Sequence, residues 1–497
     1  MELSSTIWRI CYFVVLIGLS GYGVHRYIMV YLFLKNSKKK PEPLEKFAEL
    51  PMVTVQLPIF NELHVVERLI RKVGELDYPK DKLYIQVLDD STDETLDICR
   101  AEVDALAAKG FDIELIHRTD RTGFKAGALE NGMAKAKGEY IYILDADFVP
   151  DADALKQMIH FFTDEKIGMI QTRWGHINRQ YSIFTRIQAM FLDGHLMIEQ
   201  TARSRSGRFF NFNGTAGMWR KSCIIDAGGW EHDTLTEDLD LSYRAQLKGW
   251  KFIFLKDVVT PAELPVDMDG FKSQQHRWAK GSIQTCKKML GTVWKSDMPL
   301  LIKLEATAHL TANFAYLLLI LVLVLIFPGM MPPMSWQSAV FLHIPIFVLA
   351  SVSVCVFYTC AQVARNPQGG WLREVMLMPM LLALGIGMSI NNGRAVIEAI
   401  FNRESDFVRT PKYGIEKKRQ DWRKSSYRAL KSFAPLVEVA LAFYFTFLVI
   451  YCLFSGMWMS VPFMMLFQIG FFYVSWDALR ATFSFRDREP ETVTVQN

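Results

Sequence analysis

Tyr140-Ile141-Tyr142-Ile143-Leu144-Asp145-Ala146-Asp147 is the stretch on which the fold reading turns. An apolar run of strand-forming residues ends directly in two aspartates. The same pattern recurs upstream. Met52–Leu57 is a β-rich run ending in Pro58, and Tyr84–Leu88 is a second strand running into Asp89-Asp90. Ile113–Ile116 reads as a third strand. Leu63–Leu76, Thr92–Ala108 and Lys125–Ala136 have helical spacing, with Ser91 or Thr92 as a cap and Asp93 able to serve as well. Strands alternating with helices predict a parallel α/β sheet with crossover helices. Ligands in such sheets gather beyond the carboxyl ends of the strands, where these acidic clusters fall.

The composition divides the chain around this unit. The protein has 497 residues, 51% of them hydrophobic, with 35 Phe, 23 Met and a net charge of +4. That apolar fraction is high for a soluble enzyme. The charges avoid several long apolar blocks. A membrane span needs about 20 such residues. Ile7–Leu34, Ala306–Phe327, Val340–Val363, Phe433–Phe454 and Met457–Trp476 qualify. The first is too long for a signal-peptide core, and His25 and Arg26 in its second half sit at the interface or face other helices. Val375–Ile390 is shorter and holds Pro379, Gly385 and Gly387, so it reads as interfacial or re-entrant. Lys35, Lys38, Lys39 and Lys40 set the end of the first span in the cytosol. Arg394 to Lys431, with Lys417, Lys418, Arg419, Arg423 and Lys424, is cytosolic by the same rule if Val375–Ile390 does not cross. The seven cysteines form no CxxC pair and read as reduced thiols.

Each acidic or polar motif has a chemical reading and a plainer one. Asp145 and Asp147, at i and i+2, suit one hard cation, Mg²⁺ or Mn²⁺, bound with a diphosphate; the same pair would also serve as a solvated turn. Asp89 and Asp90 suit a nucleotide or cap a helix, while Pro58, Asn61 and Glu62 suit a wall for a base or plain turn chemistry. Arg121-Thr122-Gly123-Phe124-Lys125-Ala126-Gly127 opens a helix with two cations and close-approach glycines, which suits a diphosphate or a charged surface loop. In Thr236-Glu237-Asp238 a carboxylate base would activate a sugar hydroxyl, or the acids would complement a helix dipole. Gln274, Arg277 and Trp278 offer hydrogen bonds to pyrophosphate and a stacking face for a pyranose, or a membrane-interface helix. Asn211–Gly217 is a small-residue loop able to line an acceptor.

The order of these motifs is specific. Asp89-Asp90, Asp145-x-Asp147, Thr236-Glu237-Asp238 and Gln274-x-x-Arg277-Trp278 resemble the "D, DxD, TED, QxxRW" signature of processive membrane glycosyltransferases of family 2, over about Pro51 to Lys412. That family includes cellulose, hyaluronan and chitin synthases. Ile85–Asp93 resembles the cellulose synthase-like A and C groups, which make β-mannan, glucomannan or glucan backbones.

The resemblance implies a cytosolic GT-A-type, Rossmann-like α/β domain plus an α-helical transmembrane region. It implies nucleotide-diphosphate contacts from Asp89, Asp90 and Lys125 and metal ligation by Asp145 and Asp147. Asp238 would be the general base, with Glu237, Gln274, Arg277 and Trp278 by the pyrophosphate and acceptor. Phe407-Val408-Arg409-Thr410-Pro411-Lys412 resembles the FxVTxK gating loop: Phe407, Thr410 and Lys412 match, and Arg409 stands in the family's Val position.

The expected layout is therefore a span and basic flank (residues 1–40), the catalytic domain (41–303) and two spans (304–370). An interfacial segment with the gating loop (371–431), two more spans (432–480) and a cytosolic tail (481–497) follow. That tail is too short for a cyclic-dinucleotide-sensing domain, so no such regulation is expected. The expected activity is inverting transfer of glucose or mannose from UDP-glucose or GDP-mannose to a growing β-linked glycan, at a multi-pass location in the cell inner membrane, among membrane lipids. A monofunctional enzyme glycosylating a lipid acceptor such as diacylglycerol or ceramide shares the same motifs. A degenerate, non-catalytic scaffold would have lost a carboxylate, and none is missing. No nucleic-acid partner is expected, because the basic run flanks a membrane span.

Overall fold

The computed structural model describes residues 2–330, 339–403, 409–415 and 434–484. Phe407, the basic run from Lys417 to Lys424 and the tail beyond Arg486 lie outside the described residues.

The four expected strands join three that the sequence reading did not name in one seven-stranded sheet, in the order β3-β2-β1-β4-β6-β5-β7. They are β1 Val53–Ile59, β2 Leu83–Asp89, β3 Asp112–His117, β4 Tyr140–Ile143, β5 Ile167–His176, β6 Gly217–Arg220 and β7 Lys251–Ala262. Strands β1 to β4 pair in parallel, with Val53 opposite both Leu83 and Tyr140. Both faces are covered, and alternate residues divide between them. Val53, Val55, Tyr140 and Tyr142 enter one apolar cluster, with Leu69, Ile70 and Met158. Ile141 and Ile143 enter the other, with Leu129, Trp219 and Phe254.

The sheet is mixed, where the sequence predicted a parallel one. Strand β6 runs antiparallel between β4 and β5, with Ile143 opposite Gly217. Helices Ile183–Asp193 and Gln200–Arg205 carry the chain past the sheet before β6 re-enters it in the opposite sense. The consequence is functional. Reversal sets the start of β6, and hence the loop over residues 211–216, beside the carboxyl end of β4. The helix expected over Thr92–Ala108 also differs, spanning Thr95–Ala108. Asp93 Oδ1 accepts the Thr95 N–H at 3.0 Å, while Ser91 and Thr92 are occupied by Asn61.

Helices Thr6–Asn36, Val340–Arg365, Trp371–Ile400 and Pro435–Phe454 are long and apolar enough to cross a membrane. Leu300–Thr311 and Phe314–Ile326 qualify as one span bent by 59°, and Val461–Trp476 is a shorter apolar helix. Where the sequence suggested a short segment at Val375–Ile390, the helical stretch runs over 30 residues, with half of its apolar window buried in the protein. Small residues let it pack closely: a Cβ on Gly387 would stand 2.5 Å from the Gly470 carbonyl oxygen. Ion pairs tie the apolar helices to the sheet unit. Lys272 meets Glu438 at 2.6 Å, and Arg203 meets Glu305 at 2.7 Å. His25 also faces Glu305, at 3.6 Å, so it points at other helices.

Candidate active site

Four chain segments converge beyond the carboxyl end of β4. Leu144 N–H continues the β1 pairing by donating to the Gln56 carbonyl at 3.1 Å, and Asp145 N–H donates to Thr215 Oγ1 at 2.7 Å. These bonds fix the turn that aims Asp145 and Asp147. Lys125, at the start of helix Phe124–Lys135, donates to Asp145 Oδ1 at 2.5 Å and to the Gly214 carbonyl at 2.8 Å. Lys412 pairs with Asp147 Oδ1, and Asp147 Oδ2 accepts the Glu263 N–H at 3.0 Å.

A cavity of about 190 Å³ joins this carboxylate pair to Glu237, Asp238, Gln274, Arg277, Trp278, Thr410 and Lys412. Gln274, Arg277 and Trp278 share one face of helix Met268–Lys295, at i, i+3 and i+4. The same helix braces the Thr236-Glu237-Asp238 turn. Gln284 accepts the Leu235 N–H at 2.9 Å, and a Cβ on Gly281 would stand 2.6 Å from Thr236 Cγ2.

Asp238 opens helix Glu237–Leu247 and accepts the Leu239 N–H at 2.8 Å. Its Oδ2 lies 3.1 Å from where a Cβ on Gly214 would stand. Gly214 has φ +79°, so a glycine here serves both the backbone and the space beside the carboxylate. Burial, then the neighbouring Glu237 charge, pushes Asp238 up to about 7. A carboxylate poised there is suited to take a proton near neutral pH.

Asp145 and Asp147 fit a hard divalent cation, since each offers carboxylate oxygen to the same cavity. Both carboxylates are matched by lysine ammonium groups, which marks the place as one that requires positive charge. A second acidic trio, Glu231, Asp233 and Asp240, does not compare: Lys288 Nζ lies 2.5, 2.8 and 3.1 Å from its three members.

The remaining expected residues stand beside the cavity and do not line it. Asp89 pairs with His117 at 2.7 Å, and Arg118 forks onto Asp90 at 2.8 and 2.5 Å. Pro58 lies in β1 opposite Leu88. Asn61, at φ 52°, ties β1 to Ser91 and Thr92. Glu62 is buried and pairs with Arg409 at 2.6 Å. The glycines at 123 and 127 serve the loop's own turn: a Cβ on Gly123 would meet Gly127 at 3.1 Å. Arg121 stacks on Phe60, 3.2 Å from the ring centroid.

Glu263 was missed by the motif reading. Its carboxylate accepts the N–H groups of Tyr413 at 3.2 Å and Gly414 at 3.0 Å while its own N–H holds Asp147. Burial above all raises it to about 7, with the Ile415 N–H pulling the other way. The signal was available: Glu263 directly follows β7, at the carboxyl end of a strand. Arg118, just past β3, could have been found the same way.

Residues 51–281 match the family described as "Glycosyltransferase like family 2". Glucomannan 4-beta-mannosyltransferase 7 of Arabidopsis thaliana is 33% identical over 78% of this chain and 71% of its own length. Glucomannan 4-beta-mannosyltransferase 1 of Cyamopsis tetragonoloba is 33% identical over 85% and 80%. Among solved structures, the mannosyltransferase PcManGT of Pyrobaculum calidifontis, in complex with GDP-Man and Mn²⁺, has a TM-score of 0.53 at 19% identity. It covers 79% of this chain and 100% of its own, a likeness of fold. With a GT-A-like sheet, the Asp145-x-Asp147 and Glu237-Asp238 carboxylates on one cavity and relatives matched over most of both chains, this chain belongs to glycosyltransferase family 2 and is a hexosyltransferase of the cellulose synthase-like A type.

Proposed function

We propose that this chain is an inverting mannosyltransferase that extends a β-1,4-linked mannan or glucomannan from GDP-mannose. The observation that carries this reading is the match to glucomannan 4-beta-mannosyltransferases over most of both chains, with Asp145, Asp147, Glu237 and Asp238 on one cavity. The polymer-forming names of those relatives favour a glycan acceptor over a lipid one.

In this reading Lys125 and Arg277 hold the donor diphosphate. Asp145 and Asp147 hold a divalent cation, Mg²⁺ or Mn²⁺, whose chemistry is to neutralise the leaving diphosphate. Asp238 takes the proton from the acceptor hydroxyl, which attacks the anomeric carbon opposite the departing phosphate. One displacement with one base turns an α-linked donor into a β-linked product. Trp278 stacks on the acceptor sugar, with Gln274 and Glu237 beside it. Asp89 and Asp90, held by His117 and Arg118, face the nucleoside end together with Pro58, Asn61 and Glu62. Thr410 and Lys412 close over the donor. Thr410 Oγ1 is buried without a hydrogen-bond partner among the described residues, which supports a ligand contact there.

The catalytic unit is cytosolic and the chain multi-pass, set in the cell inner membrane among membrane lipids. Residues 371–400 enter and leave on the catalytic side. Glu374 pairs with Arg186 at 3.1 Å, and the Arg403 carbonyl accepts from Lys280 at 2.6 Å, so both ends touch the same unit. That supports an interfacial or re-entrant path.

Membranes carrying the chain, incubated with labelled GDP-mannose or UDP-glucose, test the proposal. Insoluble label from GDP-mannose, released by endo-β-mannanase, is the expected result. Lipid-extractable label alone, or incorporation from UDP-glucose only, would overturn it.

A further inference from the structure

A second and larger cavity, about 590 Å³, lies on the reverse side of the Asp145–Asp147 turn, between β5 and the end of helix Val340–Arg365. Nothing in the transfer reaction uses it. We propose that it is a binding site for a phosphate-bearing anion at the junction of the catalytic unit and the apolar helices.

The wall is cationic. Arg68, Lys72, Arg173 and Arg365 line it, against one acid, Asp193. That acid is already engaged: Arg179 stands 2.8 Å away, Arg365 3.6 Å, and Gln362 donates to it at 3.1 Å. At the rim Lys72 is met by Glu75 at 2.6 Å, and three guanidinium groups, Arg68, Arg173 and Arg365, line the cavity against the one carboxylate that Arg179 and Arg365 share. Arg173 is held from behind, its Nε donating to the Lys256 carbonyl at 2.8 Å, which fixes the guanidinium plane. Like charges set close together in a partly buried place are unfavourable unless an anion compensates them.

The neighbouring His176 reports the same field. Burial first, then Arg179, Arg365 and Arg173, drive it down to about 3. Its Nε2 is buried without a hydrogen-bond partner among the described residues. Guanidinium groups match phosphate oxygens in forked pairs, and the volume falls in the range that holds a small ligand.

The position suggests two sources for the phosphate: the headgroup of an anionic phospholipid, or a soluble phosphate compound. Either would act near the transfer site. Trp174 and His176 line both cavities, and Arg68 Nη2 donates to the Asp147 carbonyl at 3.2 Å.

The test uses the purified full chain and two probes. In one arm, delipidated protein is placed in phosphatidylcholine nanodiscs with or without phosphatidylglycerol, and retained lipid is read by native mass spectrometry. In the other, inorganic pyrophosphate is titrated by calorimetry in detergent. The variants are Arg173→Gln and Arg365→Gln, with Lys72→Gln at the exposed rim, and Lys125→Ala as a control for the donor cavity.

The expected result is saturable binding of at least one probe, weakened about tenfold by either arginine substitution and less by Lys72→Gln. Lys125→Ala should remove at most a separate pyrophosphate site in the donor cavity and leave the arginine-dependent binding in place. Arginine-dependent retention of phosphatidylglycerol identifies a lipid source, and arginine-dependent pyrophosphate binding identifies a soluble one. Wild-type protein that shows neither lipid preference nor saturable pyrophosphate binding overturns the proposal, whatever the variants do. So does binding lost only in Lys125→Ala.

Discussion

Lys412 and Asp147, 265 positions apart in the chain, form an ion pair at the cavity where a metal-bound diphosphate would sit. Burial opposes the charge on Lys412, but Asp147, Glu62 and Asp145 outweigh it and hold the ammonium above its ordinary range. The lysine thus supplies positive charge to the carboxylates.

With Asp147 as the proposed metal ligand, that pairing would make lysine and metal competitors for one oxygen. Lys412→Ala should tighten donor-free Mn²⁺ binding by about tenfold, read by calorimetry, while lowering transfer. Unchanged metal affinity would show that Lys412 does not occupy the metal's place.

Asp238 should set the acid limb of the pH–rate profile. The base acts only when ionised, so transfer should rise with pH through about 7. Stability should run the other way. The folded-state value lies above the ordinary carboxylate range, so the stabilisation from protonated Asp238 is complete below pH about 4 and lost as pH rises through about 7. Asp238→Asn should therefore gain Tm over the wild type between those limits and keep a constant gain above them. Thermal melts across pH check this, and a pH-independent difference would refute it.

Gly214→Ala tests the space beside the base. The new methyl would stand 3.1 Å from Asp238 Oδ2, at a backbone φ of +79° that disfavours any side chain. Displacing the carboxylate by a fraction of an ångström should lower kcat about 100-fold, with donor affinity little changed. A normal kcat would mean that Asp238 acts from elsewhere.

Arg409 stands in the Val position of the gating-loop pattern, and it pairs with buried Glu62. Arg409→Val should raise the donor KM by removing the guanidinium that pairs with the buried Glu62 carboxylate, a penalty of about 3 kcal/mol. Adding Glu62→Gln should recover most of that loss. Simple additivity of the two substitutions would contradict the pairing.

Much of this was legible in the sequence, and the reason is local. An apolar run ending in Asp145-Ala146-Asp147 sets a strand and its acidic end together, so β1 to β4 and the turn beyond them could be read from neighbouring residues. Gln274, Arg277 and Trp278 stand out by residue type and by the QxxRW order, and their i, i+3, i+4 spacing puts them on one face of helix Met268–Lys295. The antiparallel sense of β6 depends on where two intervening helices deliver the chain, and no short pattern records that. Glu263 and the Arg118–Asp90 fork have partners far along the chain, so their roles emerge only when strand ends are brought level.

In the proposed mechanism Asp238 is the group that activates the acceptor. The direct measurement pairs donor binding with transfer for Asp238→Asn, using calorimetry with GDP-mannose and labelled product formation on the same preparation. Donor affinity should match the wild type while transfer falls by about 10³-fold. Transfer within a few-fold of wild type, with binding intact, would contradict it.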